Sequence, residues 1–336
     1  ENPRRNQRPT RPSTAGLASG CGAGFPSLPW LLRWRLMLRN LMMTLAYDGA
    51  DFHGWQFQPD MRTVQECLEQ ALRRVLRHQV VVVGCSRTDA GVHAQGYVAN
   101  VYTTNPGPAV GIFRATGSRL PKDMTLIHLQ EVPLTLHATR SAVSKLYRYR
   151  LHNAPGRPCE QQQQRYVYHF WQPLDLDAMR QAAEHWVGTH DFTSFATAGG
   201  SVRETNVRTI HRIEVYRRGE EVRIDVEGSG FLYRQVRNMV GTLCEIGCGR
   251  RRPEDAPGIL AARDRRQAGN TAPARGLCLQ WVRYDLPGLP PPSPDLLLRA
   301  EQARPPAGAE RAWVEDRTPS AAPRPPDLDL EEEPPA

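Results

Sequence analysis

The chain has 336 residues, and 43 lysines and arginines against 35 aspartates and glutamates leave it at +8. Seven scattered cysteines without a CxxC pair argue against a disulfide framework or a zinc ribbon, and the lack of any run of about 18 apolar residues argues against a membrane span. A basic excess on a chain of this size attracts polyanions, nucleic acid above all.

Residues 1–40 hold seven arginines, no lysine and one acid among Ser, Pro, Gly and Ala. Such a segment buries no core and, with PSLPWLLRWRLML near its end, matches an organelle transit peptide. A chloroplast or mitochondrial location is expected; a plain disordered extension would leave the cytoplasm or nucleus as the alternative.

NLMMTLAYDG, residues 40–49, reads as a strand closing in an Asp-Gly turn, and GWQFQPDMR as a loop. Thr63 can cap the next segment, where Val64, Leu68, Ala71, Leu72, Val75 and Leu76 predict a helix over about residues 63–78. VVVV at 80–83 is a buried strand that delivers the chain to SRTDAGVH, residues 86–93, and residues 97–103 are its β-rich successor. A helical or irregular piece around 110–120 precedes MTLIHLQEV, an alternating strand. KLYRYRLHN alternates more cleanly, with Tyr147, Tyr149 and Leu151 on one face and Arg148, Arg150 and His152 on the other. PGRPCEQQQQR breaks every period, so residues 155–165 form a surface loop.

Leu176, Met179, Ala183, Trp186 and Val187 then make a helical stripe that ends at HDFTSF. TIHRIEVYRRGEEVRIDVEG reads as a hairpin, and Val236, Met239, Val240, Leu243 and Ile246 mark another helix. GLCLQWVRY is the last strand. Residues 287–336 are a Pro-rich, acidic and disordered tail; residues 310–336 carry eight acids and three arginines. Removing the +6 of residues 1–40 and the −5 of residues 310–336 leaves +7 on residues 41–309. The expected architecture is α+β: an N-terminal lobe (41–154) and a related C-terminal lobe (166–286), each a mostly antiparallel sheet covered by helices, around a basic central cleft.

Three features can carry chemistry: Arg87 with Asp89, Tyr147 on its strand, and Arg237 in FLYRQVRNMVG. Singly, each has an innocent reading as a turn or cap residue, a core tyrosine or a solvated arginine. Arg237, however, falls at the border of a buried helical stripe, from which a guanidinium reaches into a cleft. Two arginines beside one carboxylate favour its charged form, and a charged, partly desolvated aspartate is a competent nucleophile.

GCSRTDAGVHA resembles the signature of the TruA family of tRNA pseudouridine synthases, usually written GRTDAGVHA, with Ser86 in place of the usual glycine. The resemblance continues in order through AYDGADFHGWQ, TVQECLEQAL, LPKDM, SAVSKLYRYRL, HDFTSF, VRTI, FLYRQVRNMVG and GLCLQWV, over about residues 41–285. It implies the pseudouridine synthase fold and an isomerase that turns uridine into pseudouridine without cofactor or metal, in the anticodon arm of tRNA at the family's usual tRNA positions 38–40. It further implies a homodimer. On this resemblance Asp89 is the catalytic aspartate, Arg87 its motif partner, Arg237 the cation paired with it, and Tyr147 the ring against the target base. Thr88 and His93, of the same motif, are the remaining expected substrate contacts.

LHATRSA, residues 136–142, departs from the family's FHARFSA and moves an arginine from the place of Thr139 to Arg140. That touches target choice more than reaction type. Two other classes stand beside the enzyme: a non-catalytic RNA-binding or chaperone protein on the same fold, and a nucleosidase. A synthase acting on another RNA is the nearer alternative.

Overall fold

The computed structural model describes residues 38–160, 164–199 and 205–286; the expected leader, up to residue 37, and tail lie outside them. The described part is built on one ten-stranded sheet with the order β4-β1-β3-β10-β5-β9-β8-β7, β2 adding to β3 and β6 to β5. In chain order these strands are β1 (Arg39–Tyr47), β2 (Val82–Gly84), β3 (His93–Thr103), β4 (Met124–Val132), β5 (Ala142–His152), β6 (Tyr168–His169), β7 (Gly188–Asp191), β8 (Val207–Arg218), β9 (Glu221–Gly228) and β10 (Leu277–Tyr284). Every pairing is antiparallel except β3 with β10 and β5 with β6.

The two lobes expected from the sequence thus share one sheet. The last strand enters between β3 and β5, so β5 pairs with β10 on one side and β9 on the other. A single apolar core runs through both halves, from Leu41, Met43 and Leu45 on β1 to Val222, Ile224 and Val226 on β9. Burial on both faces explains the near-continuous apolar run of β1, whereas β9 alternates apolar with charged residues.

Five helices, α1 (Val64–Leu76), α2 (Ala109–Gly117), α3 (Leu176–Glu184), α4 (Gln235–Gly247) and α5 (Asp255–Ala261), are present among the described residues. α1 starts where expected: the Thr63 hydroxyl accepts from the Glu66 N–H, and the helix buries Val64, Leu68, Ala71, Leu72 and Leu76. It stops at Arg77, which takes a left-handed conformation. α3 ends before Trp186, yet that side chain is fully buried, its indole N–H donating to the Ala256 carbonyl at 3.1 Å. α4 is buried almost all round, against α3 and against residues 270–272. Gly241 permits this: a Cβ there would lie 1.6 Å from the Asn270 carbonyl oxygen. None of the described helices is long and apolar enough to cross a membrane.

The hairpin of β8 and β9 turns over Gly219 at φ +58, and the β7 and β6 pairings are not legible in the sequence as separate strands. At the middle of the sheet, β3 and β10 pair in parallel over only His93–Cys278 and Ala94–Leu279. Their N-terminal ends, with the loops that precede them, therefore open together at one place. That seam holds the motif.

Candidate active site

Residues 85–92 connect β2 to β3 and alternate in direction. The Cys85 N–H donates to the Val98 carbonyl at 2.8 Å. Ser86 points inward: its hydroxyl shares a 3.1 Å hydrogen bond with that of Tyr147, and its carbonyl accepts from the Tyr97 hydroxyl. Thr88 is also inward, sharing a 2.8 Å bond with the Tyr47 hydroxyl, while its carbonyl accepts from the Trp55 N–H at 3.1 Å. Gly54 makes that approach possible, with φ +88 and an absent Cβ that would fall 2.7 Å from the Thr88 carbonyl oxygen. Trp55 in turn stacks on Tyr97 at 4.1 Å between centroids. The inward residues are turn chemistry; the outward ones, Arg87 and Asp89, face a cleft.

Asp89 Oδ2 accepts from Arg237 Nη1 at 2.6 Å, with both side chains nearly buried at 15% and 13% exposed. Arg237 is held from behind: its Nε donates to the Ala272 carbonyl at 2.7 Å, and the Ala272 N–H returns a bond to the Arg237 carbonyl at 3.1 Å. The close approach at Gly241 is what lets the 270–272 segment lie against α4 and supply that carbonyl. A charge-assisted bond of this length, with the guanidinium fixed by a second bond, sets the carboxylate's orientation.

Tyr147 lies on β5 opposite Leu279 of β10, so its ring forms the wall beside the seam. It is 5% exposed and meets Phe231 edge to face at 5.2 Å. Burial holds its phenol well above the ordinary tyrosine range, so it stays protonated at neutral pH. Cys85, also fully buried beside the motif, is pushed up by burial to about 11 and is no competing nucleophile.

The cleft has a volume of about 570 Å³, and the charged side chains along it are Arg87, Asp89, Arg234 and Arg237. Among the described residues, three arginines against one carboxylate make it basic. A larger concavity, about 720 Å³, opens on the other face of β5, but most of its arginines are paired: Arg148 with Asp225, Arg180 with Asp177 and Arg212 with Glu214, which leaves Arg218 over the Tyr216 ring. It is the smaller cleft that holds Asp89, Arg237 and Tyr147 together.

Three of the expected residues, Arg87, His93 and Thr88, are placed apart from the carboxylate or with their polar groups already engaged. Arg87 is exposed at the cleft and makes no ion pair with Asp89; of the two arginines expected there, Arg237 alone holds the carboxylate. His93 is buried outside the cleft lining: its Nδ1 accepts from the Gly49 N–H at 3.0 Å, its Nε2 lies 3.2 Å from the Arg165 carbonyl, and its ring packs on Tyr166. Thr88 borders the cleft with its hydroxyl already engaged by Tyr47. Both brace the motif. Arg148 and Arg150, on the face of β5 opposite Tyr147, are tied to Asp225 and Glu221. Thr139, at the departure from the family pattern, donates to the Gly84 carbonyl at 2.6 Å and so anchors the start of the motif strand.

Several site residues are not singled out by the sequence: Tyr47 and Trp55 behind the motif, Phe231 beside Tyr147, and the Ala272 carbonyl behind Arg237. The first three sit inside segments of the family resemblance, which is their only signal. A backbone carbonyl has none.

The family model for tRNA pseudouridine synthase matches residues 43–140 and 182–285, which takes in Asp89 and Arg237 and leaves Tyr147 between the two segments. A tRNA pseudouridine synthase A 2 of Clostridium perfringens is 40% identical over 247 residues, 74% of this chain and the whole of that protein. A tRNA pseudouridine synthase A of Brevibacillus brevis is 44% identical over the same length, with the same coverage. Among solved structures, a Cbf5-Nop10-Gar1 complex aligns at 13% identity over 71% of this chain and 57% of that one, with a TM-score of 0.29, a likeness that carries no inference. On the extent of the family match and of these identities, the chain belongs to the tRNA pseudouridine synthases, a family of isomerases.

Proposed function

We propose that the chain isomerises uridines in the anticodon arm of tRNA, at tRNA positions 38–40, with Asp89 as nucleophile and no cofactor, and that two copies assemble into a dimer. The observation that carries the reading is the Asp89–Arg237 pair at 2.6 Å on the wall of a basic cleft that also holds the Tyr147 ring.

The reaction breaks the bond between N1 of uracil and C1′ of ribose, turns the base, and joins C5 to C1′. The ring loses a proton from C5 and gains one at N1, so the product has the composition of the substrate. Bond cleavage develops positive charge on the sugar, which a carboxylate stabilises or captures, as in glycosidases. Arg237 donates to one Asp89 oxygen and aims the other at the cleft. The departing uracil carries negative charge, for which arginines and buried donors are suited. Flipping a base from a stem costs a few kcal/mol, and stacking on one aromatic ring offsets about 1–3 kcal/mol of that. Arg87, exposed at the mouth, adds positive charge where the RNA backbone must enter.

The test is Asp89→Asn with transcribed tRNAs, mapping pseudouridine by carbodiimide-dependent reverse-transcription stops. Loss of the stops with tRNA affinity kept within a few-fold supports the reading. Turnover near wild type refutes the nucleophile, stops outside the anticodon arm refute the position, and free uracil would mark a nucleosidase. A sedimentation mass of one chain refutes the dimer.

A further inference from the structure

Arg234 is an odd residue for its place. It precedes α4 with a left-handed backbone, φ 58, where it serves as N-cap without a side-chain bond to the helix. Glycine or asparagine accepts that conformation at little cost, whereas a long side chain does not. The described residues include three other non-glycine positions of positive φ. Arg77 closes α1, Asp60 sits in a turn, and Arg263 pairs with Asp191. Arg234 has no such explanation.

Its side chain has a second oddity. Its Nε is one of three buried side-chain polar atoms without a partner among the described residues, and it alone of the three belongs to the cleft lining. A buried, unmade N–H of a guanidinium is costly unless a ligand completes it. The guanidinium also sits 4.8 Å from the Tyr233 ring centroid, a contact that orients it before any ligand arrives. Among the described residues lining the cleft the one carboxylate, that of Asp89, is already engaged by Arg237. Arg234 therefore offers an oriented positive charge and an unpartnered Nε–H, with no acidic partner among the described residues, in the lining that also holds Asp89.

We infer that Arg234 grips a backbone phosphate of the RNA next to the everted uridine, as a binding residue that registers the strand over Asp89. The inference rests on the reading of the cleft as an RNA site. The ligand is a phosphodiester because a guanidinium with an open Nε–H matches phosphate oxygens, and because an RNA strand brings one phosphate on each side of a flipped nucleotide.

The experiment measures tRNA affinity between about 50 and 200 mM salt, where removal of a single phosphate interaction lowers the salt slope by about 0.7–0.9. Arg234→Gln is expected to bind about tenfold more weakly, with the slope reduced by the equivalent of one phosphate. Arg234→Lys restores the slope. Arg234→Gly separates binding from folding, since glycine takes φ 58 freely: it should match Arg234→Gln in binding while its thermal midpoint stays at or above wild type. Arg218→Gln, on the groove of the opposite face, should leave the slope unchanged. A wild-type slope in Arg234→Gln and Arg234→Gly overturns the inference, as does a fall in the midpoint of Arg234→Gly. If the wild-type chain itself neither binds nor isomerises tRNA, the reading of the cleft fails instead, and the two failures are told apart.

Discussion

Two arginine–carboxylate pairs lie on opposite faces of β5, and they are built differently. On the far face, Arg148 donates through Nε and Nη2 to both oxygens of Asp225, at 2.8 and 2.7 Å, and the Tyr216 hydroxyl adds a third bond at 3.3 Å. In the cleft, Asp89 accepts one bond, on Oδ2, and no described residue donates to its Oδ1. Asp225 is satisfied and can do nothing further, whereas Asp89 is held at one oxygen and open at the other. The surroundings differ in the same sense: four arginines stand against three acids on the far groove and three of those arginines are paired, whereas three arginines stand beside one acid among the described residues of the cleft. An ion pair becomes a site when its carboxylate is oriented but not used up.

The comparison is broken most directly at Asp89. Asp89→Asn should lower the rate by on the order of 10³-fold or more, with little change in thermal midpoint; a stability loss without a rate loss would make this pair the structural one. Arg148→Met should do the reverse. It leaves Asp225 buried without its cation, and urea unfolding should register about 3 kcal/mol of lost stability with turnover per folded molecule unchanged.

Tyr147→Leu should weaken tRNA binding by about 1–3 kcal/mol, while Tyr147→Phe keeps the ring and loses far less. Equal affinities for the two would remove stacking from the account.

The far face also predicts an acid response. Burial pushes Glu221 up, but bonds and charge from Arg150 and then Arg223 outweigh it, so its carboxyl lies below the ordinary range. A depressed folded-state value means that its contribution is present above the unfolded carboxylate range, near about pH 4.3, and is lost as pH falls through the folded value. Thermal midpoints at about pH 7 and about pH 4 should therefore differ less in Glu221→Gln than in wild type; an identical acid drop would show that Glu221 contributes nothing.

The smallest effect belongs to Ser86→Ala, which frees the Tyr147 hydroxyl of its 3.1 Å partner. It should cost a few-fold in kcat/KM, about the worth of one neutral hydrogen bond. No change would leave Ser86 without a role in seating Tyr147.

Much of this is legible in the chain. The apolar stripe of α1, the capping Thr63, the alternation of β5 and the buried stripe of α4 are local periodicities, and local periodicity survives folding. The SRTDAGVH stretch, too, marks Asp89 as a candidate. Arg87 misleads because it stands two residues from Asp89, and nearness along the chain suggests a pair. In an extended segment both side chains face the cleft, yet the cation that arrives is Arg237, 148 residues away. His93 misleads for the same reason: it belongs to the motif in sequence and to the support beneath it in space.

By itself, then, the sequence determined most of the segments that form strands and helices, though not β6, β7 or α5, and which residue types were available for chemistry at Asp89, Tyr147 and Arg237. Only the tertiary structure decided which charges are matched and which are left over. That depends on strand order, because β10 entering between β3 and β5 brings Asp89, Tyr147 and the start of α4 around one seam and turns Arg148 and Arg150 toward the acids of β9. Periodicity is a property of neighbours in the chain. The partner of a charge is a property of neighbours in space.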